Sequence, residues 1–268
     1  RGRPAGRPGL QERLQEHELP RMKLGDASIA AAFTARSASV GSCVDIITQG
    51  RCTLVTTLQM CKILALNCLV SAFSLSVLHL QGVRMGDTQA TCSALGTALF
   101  FLFLSSSRPL SRLSKRRPPA SVLSPYVFCS ILAQVAVHLL VLLRTSALGE
   151  EHGPSEPPEP DGEFEPSLPN SIVWLVSTGM LITTFVVNYK GRPYMESLAS
   201  NRGLAGTLAA SALLILTLAA GALPDLAAYL ELVPIESEAL RGELQALLAI
   251  DFGACWLLER AISRLWSY

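Results

Sequence analysis

Stretches free of Asp, Glu, Lys and Arg recur along the chain at membrane-spanning length. Residues 63–80 give 18 such positions, 88–107 give 20, 118–143 give 26, 166–189 give 24 and 203–224 give 22. A helix needs about 20 mostly apolar residues to cross a hydrocarbon core of roughly 30 Å, so each stretch predicts a transmembrane helix. A sixth stretch, 244–258, is 15 residues long and is interrupted by Asp251. By hydropathy alone it is the weakest of the six.

The connectors bear on that sixth helix. Residues 1–52 hold eight Lys or Arg, and 108–117 hold five: Arg108, Arg112, Lys115, Arg116 and Arg117. Lys190, Arg192 and Arg202 follow the fourth stretch, and Arg260 and Arg264 close the chain. The intervening connectors are acidic, with seven carboxylates in 150–165 and four in 225–238. Basic and acidic connectors alternate only if the sixth helix also spans. Lys/Arg-rich loops stay on the cytoplasmic side, so the expectation is six spans with both ends cytoplasmic.

Composition agrees with a bilayer environment. The 268 residues are 50% apolar and 16% charged, against about 25% charged for a soluble domain, and the mean hydropathy is +0.38. A formal net charge of +1 argues against a nucleic-acid binder built on overall basicity. The apolar content is too high for a disordered tail. The chain opens on Arg1 and its first methionine is Met22, which raises the expectation of a piece of something longer. No signal peptide is read at the start, because the first apolar run arrives only after about sixty residues.

Polar side chains inside the spans fall on shared helical faces. Asn67, Ser71 and Ser74 align on the first span, and Gln89, Ser93 and Thr97 on the second. Ser130, Gln134 and His138 align on the third, and Thr184 and Asn188 on the fourth. Such faces turn toward other helices or a wet cavity; interhelical hydrogen bonding and a polar pathway are the two readings. Asn67, Gln89, Gln134 and Asp251 are the candidates for a substrate-binding membrane cavity. Lys62 stands at the start of the first span, where its stem is long enough to snorkel to the interface. Asp251 has no Lys or Arg within one turn, and an intramembrane carboxylate is a functional candidate by default. The fifth span carries small residues at Gly206 and Ala210 and at Thr217 and Gly221, a spacing that suits either close helix packing or a lipid-facing helix.

Chemistry-bearing motifs are missing. The seven cysteines (43, 52, 61, 68, 92, 129 and 255) include no Cys-x-x-Cys pair, so reduced thiols are expected, without a disulfide framework or a metal site. The four histidines are far apart in sequence, and no glycine-rich phosphate loop, Gly-x-Ser-x-Gly or His-Glu-x-x-His occurs. No catalytic and no cofactor-binding residue is assigned. Four prolines in the first acidic connector mark it as a solvated extended segment rather than a calcium loop.

Several blocks resemble a known family. They are Lys23-Leu-Gly-Asp-Ala-Ser-Ile-Ala-Ala, Ile46-Ile-Thr-Gln-Gly-Arg-Cys-Thr-Leu-Val-Thr-Thr-Leu-Gln-Met60, Lys62-Ile-Leu-Ala-Leu-Asn67, Asn188-Tyr-Lys-Gly-Arg-Pro193 and Cys255-Trp-Leu-Leu-Glu-Arg260. They are similar to the type V, A-branch P-type ATPases of the endoplasmic reticulum. The sister B branch, linked to polyamine export, lacks the Thr-Leu-Gln-Met and Lys-Ile-Leu-Ala-Leu-Asn wording. The resemblance implies an all-α membrane protein whose six-transmembrane-helix bundle corresponds to the last six helices of a ten-helix transport domain. In that scheme residues 1–20 are a solvated linker, 21–52 the exit from a phosphorylation domain with its hinge, 53–262 the transmembrane domain and 263–268 a cytoplasmic tail.

The implied activity is ATP-driven dislocation of mis-inserted transmembrane helices from the endoplasmic reticulum membrane. The implied partners are the lipid bilayer, a transmembrane-helix polypeptide, and the cytosolic catalytic domains and first four spans outside this chain. ATP and magnesium are implied only for the complete family protein. The family's Asp-Lys-Thr-Gly-Thr, Thr-Gly-Glu and Gly-Asp-Gly-x-Asn-Asp motifs do not occur here, so the chain is expected to be inactive alone. Ala32 stands where the family usually has Pro and Cys61 where it has an aromatic, departures expected to loosen the hinge into the first span. The alternative is a self-standing six-span channel or scaffold without ATPase activity.

Overall fold

The computed structural model describes residues 39–119, 121–153 and 164–266. Seven α-helices are described: α1 Gly41–Leu80, α2 Asp87–Ser105, α3 Pro125–His152, α4 Leu168–Asn188, α5 Arg202–Ala219, α6 Pro224–Tyr229 and α7 Glu238–Leu265. A short 3-10 turn, Leu198–Ser200, precedes α5, and no strand longer than a bridge occurs among the described residues. Helices α1 to α5 are each long and apolar enough to cross a membrane. Contacts divide the chain into Arg1–Asp45 and a second unit, Ile46–Tyr268, which holds the bundle.

Local chemistry sets the helix starts. Ser167 caps α4, its hydroxyl accepting from the Asn170 amide at 3.4 Å, with proline in the first turn. Asn201 caps α5 by accepting from Leu204 N at 3.2 Å, and Ser237 caps α7 by accepting from Leu240 N at 3.4 Å. Each satisfies one of the amides that a helix start leaves without an intrahelical partner. Helix α3 starts at Pro125, whose fixed φ suits the first helical position.

Two elements run past the charge-free stretches. At about 1.5 Å per residue, the 40-residue α1 is roughly twice the thickness of a hydrocarbon core. It is continuous through Cys61, while Ala32 lies outside the described residues. Helix α3 ends not at 143 but at His152: Thr145, Leu148 and Gly149 are buried on it, and Arg144 pairs with Glu243 of α7 at 2.6 Å and with Glu151 at 3.1 Å. Glu150 and Glu151, read as part of an acidic loop, therefore belong to a helix.

Helix α4 is the hub. Ile172, Val173, Trp174, Val176, Met180 and Phe185 are buried around it, and it packs against α2, α3, α5 and α7. Phe185 meets Phe100 and Phe101 of α2 edge-on, with ring centroids 5.1 and 5.0 Å apart. Glycine permits close approach at Gly179, where an added Cβ would lie 2.3 Å from Leu248 Cδ2 of α7. Of the two readings of the small-residue spacing, Gly206 fits the open face, since nothing lies within 4 Å of a Cβ built there. It is Gly203 that lets α5 approach α2, since a Cβ there would lie 2.6 Å from the Phe103 ring.

Two of the basic connectors meet in space. Arg51 of α1 donates to the backbone of Ser114 and Arg116, Tyr194 donates to Arg117 O, and Glu196 N donates to Arg108 O. The 108–117 and 189–197 connectors thus share one end of the bundle. Gln81, Ser146, Glu150 and Glu243 gather at the other.

Helix α7 shows why the sixth stretch scores poorly. Its polar residues Asp251, Cys255, Glu259 and Ser263 are buried against neighbouring helices, while Ile250, Phe252, Trp256 and Leu257 are exposed. Over 250–259 this polarity is the reverse of a soluble amphipathic helix, whereas the first half of α7 buries Leu240, Leu244 and Leu247 in the ordinary way.

Candidate functional site

Two polar regions lie within the bundle. The first is a seam between α3 and α7, which run antiparallel. Tyr126, Ser130, Gln134 and His138 recur every fourth residue on α3, and Asp251, Cys255, Glu259 and Ser263 do so on α7. Residues four apart stack on one face of a helix, so the two rows meet rung by rung.

Glu259 anchors one end of the seam. Lys62 of α1 reaches its Oε2 at 2.8 Å and Lys190 reaches its Oε1 at 3.0 Å. The Tyr126 and Ser130 hydroxyls donate to the same carboxylate, and both lysine ammonium groups sit 5.3 Å from the centre of the Tyr126 ring. Gln134 exchanges amide hydrogen bonds with Asn188 of α4 at 3.1 and 2.8 Å and also approaches Glu259 Oε2 at 3.2 Å. Lys62 does not snorkel; it is buried and turned inward because the partner carboxylate lies on α7, which the sequence reading had not set beside it. Further along the seam, His138 Nδ1 lies 2.6 Å from Asp251 Oδ1, and Cys255 Sγ lies 3.8 Å from His138 Nε2.

The second region is a cavity of about 530 Å³ between α1, α2 and α4. Its polar lining comprises Asn67, Ser71 and Ser74 from α1, Ser93 and Thr97 from α2, and Ser177 and Thr178 from α4. Trp174 also lines it and donates its indole N–H to Ser93 Oγ at 3.0 Å. Both side-chain polar atoms of Asn67, together with Ser74 Oγ and Thr178 Oγ1, are buried without a hydrogen-bond partner. Exposed lining residues on α1 (Cys68, Ser71, Leu75) and on α2 (Ala90, Ala94) mark the open side.

The four candidate residues are therefore separated. Asn67 faces the cavity. Gln89 lies off it, donating to Leu230 O at 3.1 Å. Gln134 and Asp251 belong to the seam, where the structure adds Lys62, Lys190, Glu259 and His138 around them. The sequence signal for the seam was the fourfold spacing on α7, which continues past Asp251 to Cys255, Glu259 and Ser263.

No family model matches the chain. Among curated proteins it is 46% identical over 249 residues to the probable manganese-transporting ATPase PDR2 of Arabidopsis thaliana, which covers 93% of this chain and 21% of that protein. It is 42% identical over 246 residues to the endoplasmic reticulum transmembrane helix translocase of Saccharomyces cerevisiae, covering 91% and 20%. Over most of its length the chain is similar to type V P-type ATPases. Type V members of the polyamine-transporting kind are more distant: the mouse polyamine-transporting ATPase 13A2 is 27% identical over 250 residues, covering 89% of this chain and 21% of that protein. The chain spans about a fifth of the length of the curated relatives it matches.

Proposed function

We propose that the chain is the C-terminal transport part of an ATP-driven translocase that removes transmembrane helices from the endoplasmic reticulum membrane. In this reading α7 is the sixth span and both ends face the cytoplasm. The reverse polarity of α7 and the gathering of basic connectors at one end of the bundle support that topology. ATP and magnesium would act on other parts of the protein. The phosphorylation and magnesium motifs are absent from these 268 residues, and no step is assigned to ATP here.

The cavity is the observation that carries the reading. A polar group in the bilayer is costly unless it finds a partner. Asn67, Ser74 and Thr178 offer unpartnered donors and acceptors along a cavity open between α1 and α2. A mis-inserted helix carrying polar side chains would exchange an apolar environment for these groups. Its apolar side chains would slide along Leu75, Ala90 and Ala94. The remaining wall would come from spans outside this chain.

Site-specific photocrosslinking tests this. A crosslinking residue at Ser71 or Ala94, in protein reconstituted with a polar-residue-bearing transmembrane peptide, is expected to capture the peptide. The same residue at Leu213, exposed on α5, is expected not to. Equal capture at all three positions would reject the cavity as the cargo site. A self-standing channel predicts instead ion flux through the bundle without nucleotide, measurable in the same vesicles.

A further inference from the structure

His138, Asp251 and Cys255 have no part in the cavity, yet they bring an imidazole, a carboxylate and a thiol together from two helices. One ligand atom from each lies within 4.8 Å of the others, and all three residues are buried. We propose that this cluster binds a borderline-soft divalent cation of the zinc type, tying α3 to α7 within the seam.

The donor geometry is close to what such an ion needs. Zinc binds imidazole nitrogen at about 2.0 Å and thiolate sulfur at about 2.3 Å in a tetrahedral array, which sets the two ligand atoms roughly 3.5 Å apart. His138 Nε2 and Cys255 Sγ stand 3.8 Å apart, so a shift of a few tenths of an ångström closes the pair around an ion. On the far side of the ring, Asp251 Oδ1 meets Nδ1 at 2.6 Å. A carboxylate at that nitrogen orients a metal-binding histidine and leaves Nε2 free to bind. Asp251 thus acts from behind the ring, orienting the imidazole and supplying negative charge, while His138 Nε2 and Cys255 Sγ are the atoms that would ligate the ion.

Charge points the same way. A dication, one thiolate and one carboxylate sum to zero, which is the balance a low-dielectric interior favours. The donor set also selects among metals. Sulfur and imidazole suit zinc, whereas manganese, magnesium and calcium favour oxygen ligands, and only one of the three residues here supplies oxygen. No short motif announces the cluster, because His138 lies 113 residues from Asp251 and 117 from Cys255.

Cobalt(II) is the probe, added to the protein in lipid nanodiscs. One bound cobalt per protein is expected to give a thiolate-to-metal charge-transfer band in the near ultraviolet, removed by equimolar zinc and unaffected by manganese. Cys255→Ser is expected to abolish the band and Asp251→Asn to weaken cobalt binding about 10- to 100-fold. Cys129→Ser, on α3 but outside the cluster, should leave it intact. A band that is absent from the unsubstituted protein, or that survives Cys255→Ser, overturns the proposal. If Cys255→Ser does not fold, zinc K-edge absorption on the unsubstituted protein decides: sulfur at about 2.3 Å supports the site, and a shell of nitrogen and oxygen alone rejects it.

Discussion

Lys62 Nζ lies 2.8 Å from Glu259 Oε2, joining the first and last long helices across 197 residues of sequence. Both side chains are about 5% exposed, so neither charge can be solvated if the other is removed. Breaking a buried pair from one side costs about 3–5 kcal/mol, but the two sides are not equivalent here. Lys62→Met leaves Glu259 with Lys190, whereas Glu259→Gln leaves Lys62 buried without a carboxylate, Lys190 keeping solvent and the Ser263 hydroxyl. Glu259→Gln is therefore expected to destabilise more than Lys62→Met, and the double variant less than Glu259→Gln alone. Unfolding in detergent with a two-by-two set of variants measures this; Lys62→Met proving the worse single change would remove the argument.

The reciprocal amides of Gln134 and Asn188 make a smaller prediction. Interhelical hydrogen bonds in membrane bundles average about 0.6 kcal/mol and reach about 1.7. Gln134→Leu leaves Asn188 Nδ2 without Gln134 Oε1 and withdraws a donor from Glu259, so it is expected at the upper end of that range. Asn188→Leu spares Glu259 and is expected nearer the average. Equal losses in the same unfolding assay would show that the Gln134 contact with Glu259, at 3.2 Å, contributes nothing measurable.

The polar faces were legible before the structure, and their partners were not. Fourfold spacing set Ser130, Gln134 and His138 on one face, and all three line the seam. The same spacing set Asn67, Ser71 and Ser74 on one face of α1, and Ser93 and Thr97 on one of α2; all five line the cavity. Gln89 belonged to that second face by spacing, yet one turn nearer the helix start it meets the carbonyls of Leu230 and Glu231 instead. Helical periodicity fixes which residues share a face but not what faces them, since that depends on contacts 54 to 197 residues apart. Glu259 escaped notice for a related reason: a search for charge-free stretches ends where a buried ion pair begins.

Glycines on neighbouring helices should respond in opposite directions to alanine. At Gly179 an added Cβ would fall 2.3 Å from Leu248 Cδ2, and forcing extra volume into a packed contact costs about 1–3 kcal/mol. Trimming the obstacle with Leu248→Ala in the same molecule is expected to recover part of the loss. At Gly206, exposed on α5 with nothing within 4 Å of the site, alanine is expected to stabilise by about 0.5–1 kcal/mol through its better helix propensity. Destabilisation by Gly206→Ala would mean that another helix packs there.

The unpartnered hydroxyl of Thr178 separates a structural from a cargo-binding role for the cavity. Val replaces that hydroxyl with a methyl of similar size, and removing a buried polar group that has no partner is neutral or stabilising. A hydroxyl present only for packing therefore predicts that Thr178→Val raises stability and changes nothing else. A hydroxyl that receives cargo predicts the same stability together with weaker binding of a transmembrane peptide bearing polar residues. The expected loss is about 0.5–1.5 kcal/mol for one hydrogen bond, or roughly two- to tenfold in affinity. An all-leucine peptide, which has no polar side chain to offer, should bind both forms alike. Titrating both peptides against both proteins in nanodiscs makes the comparison. A uniform loss for both peptides would assign the effect to cavity shape and leave the hydroxyl without a recognition role.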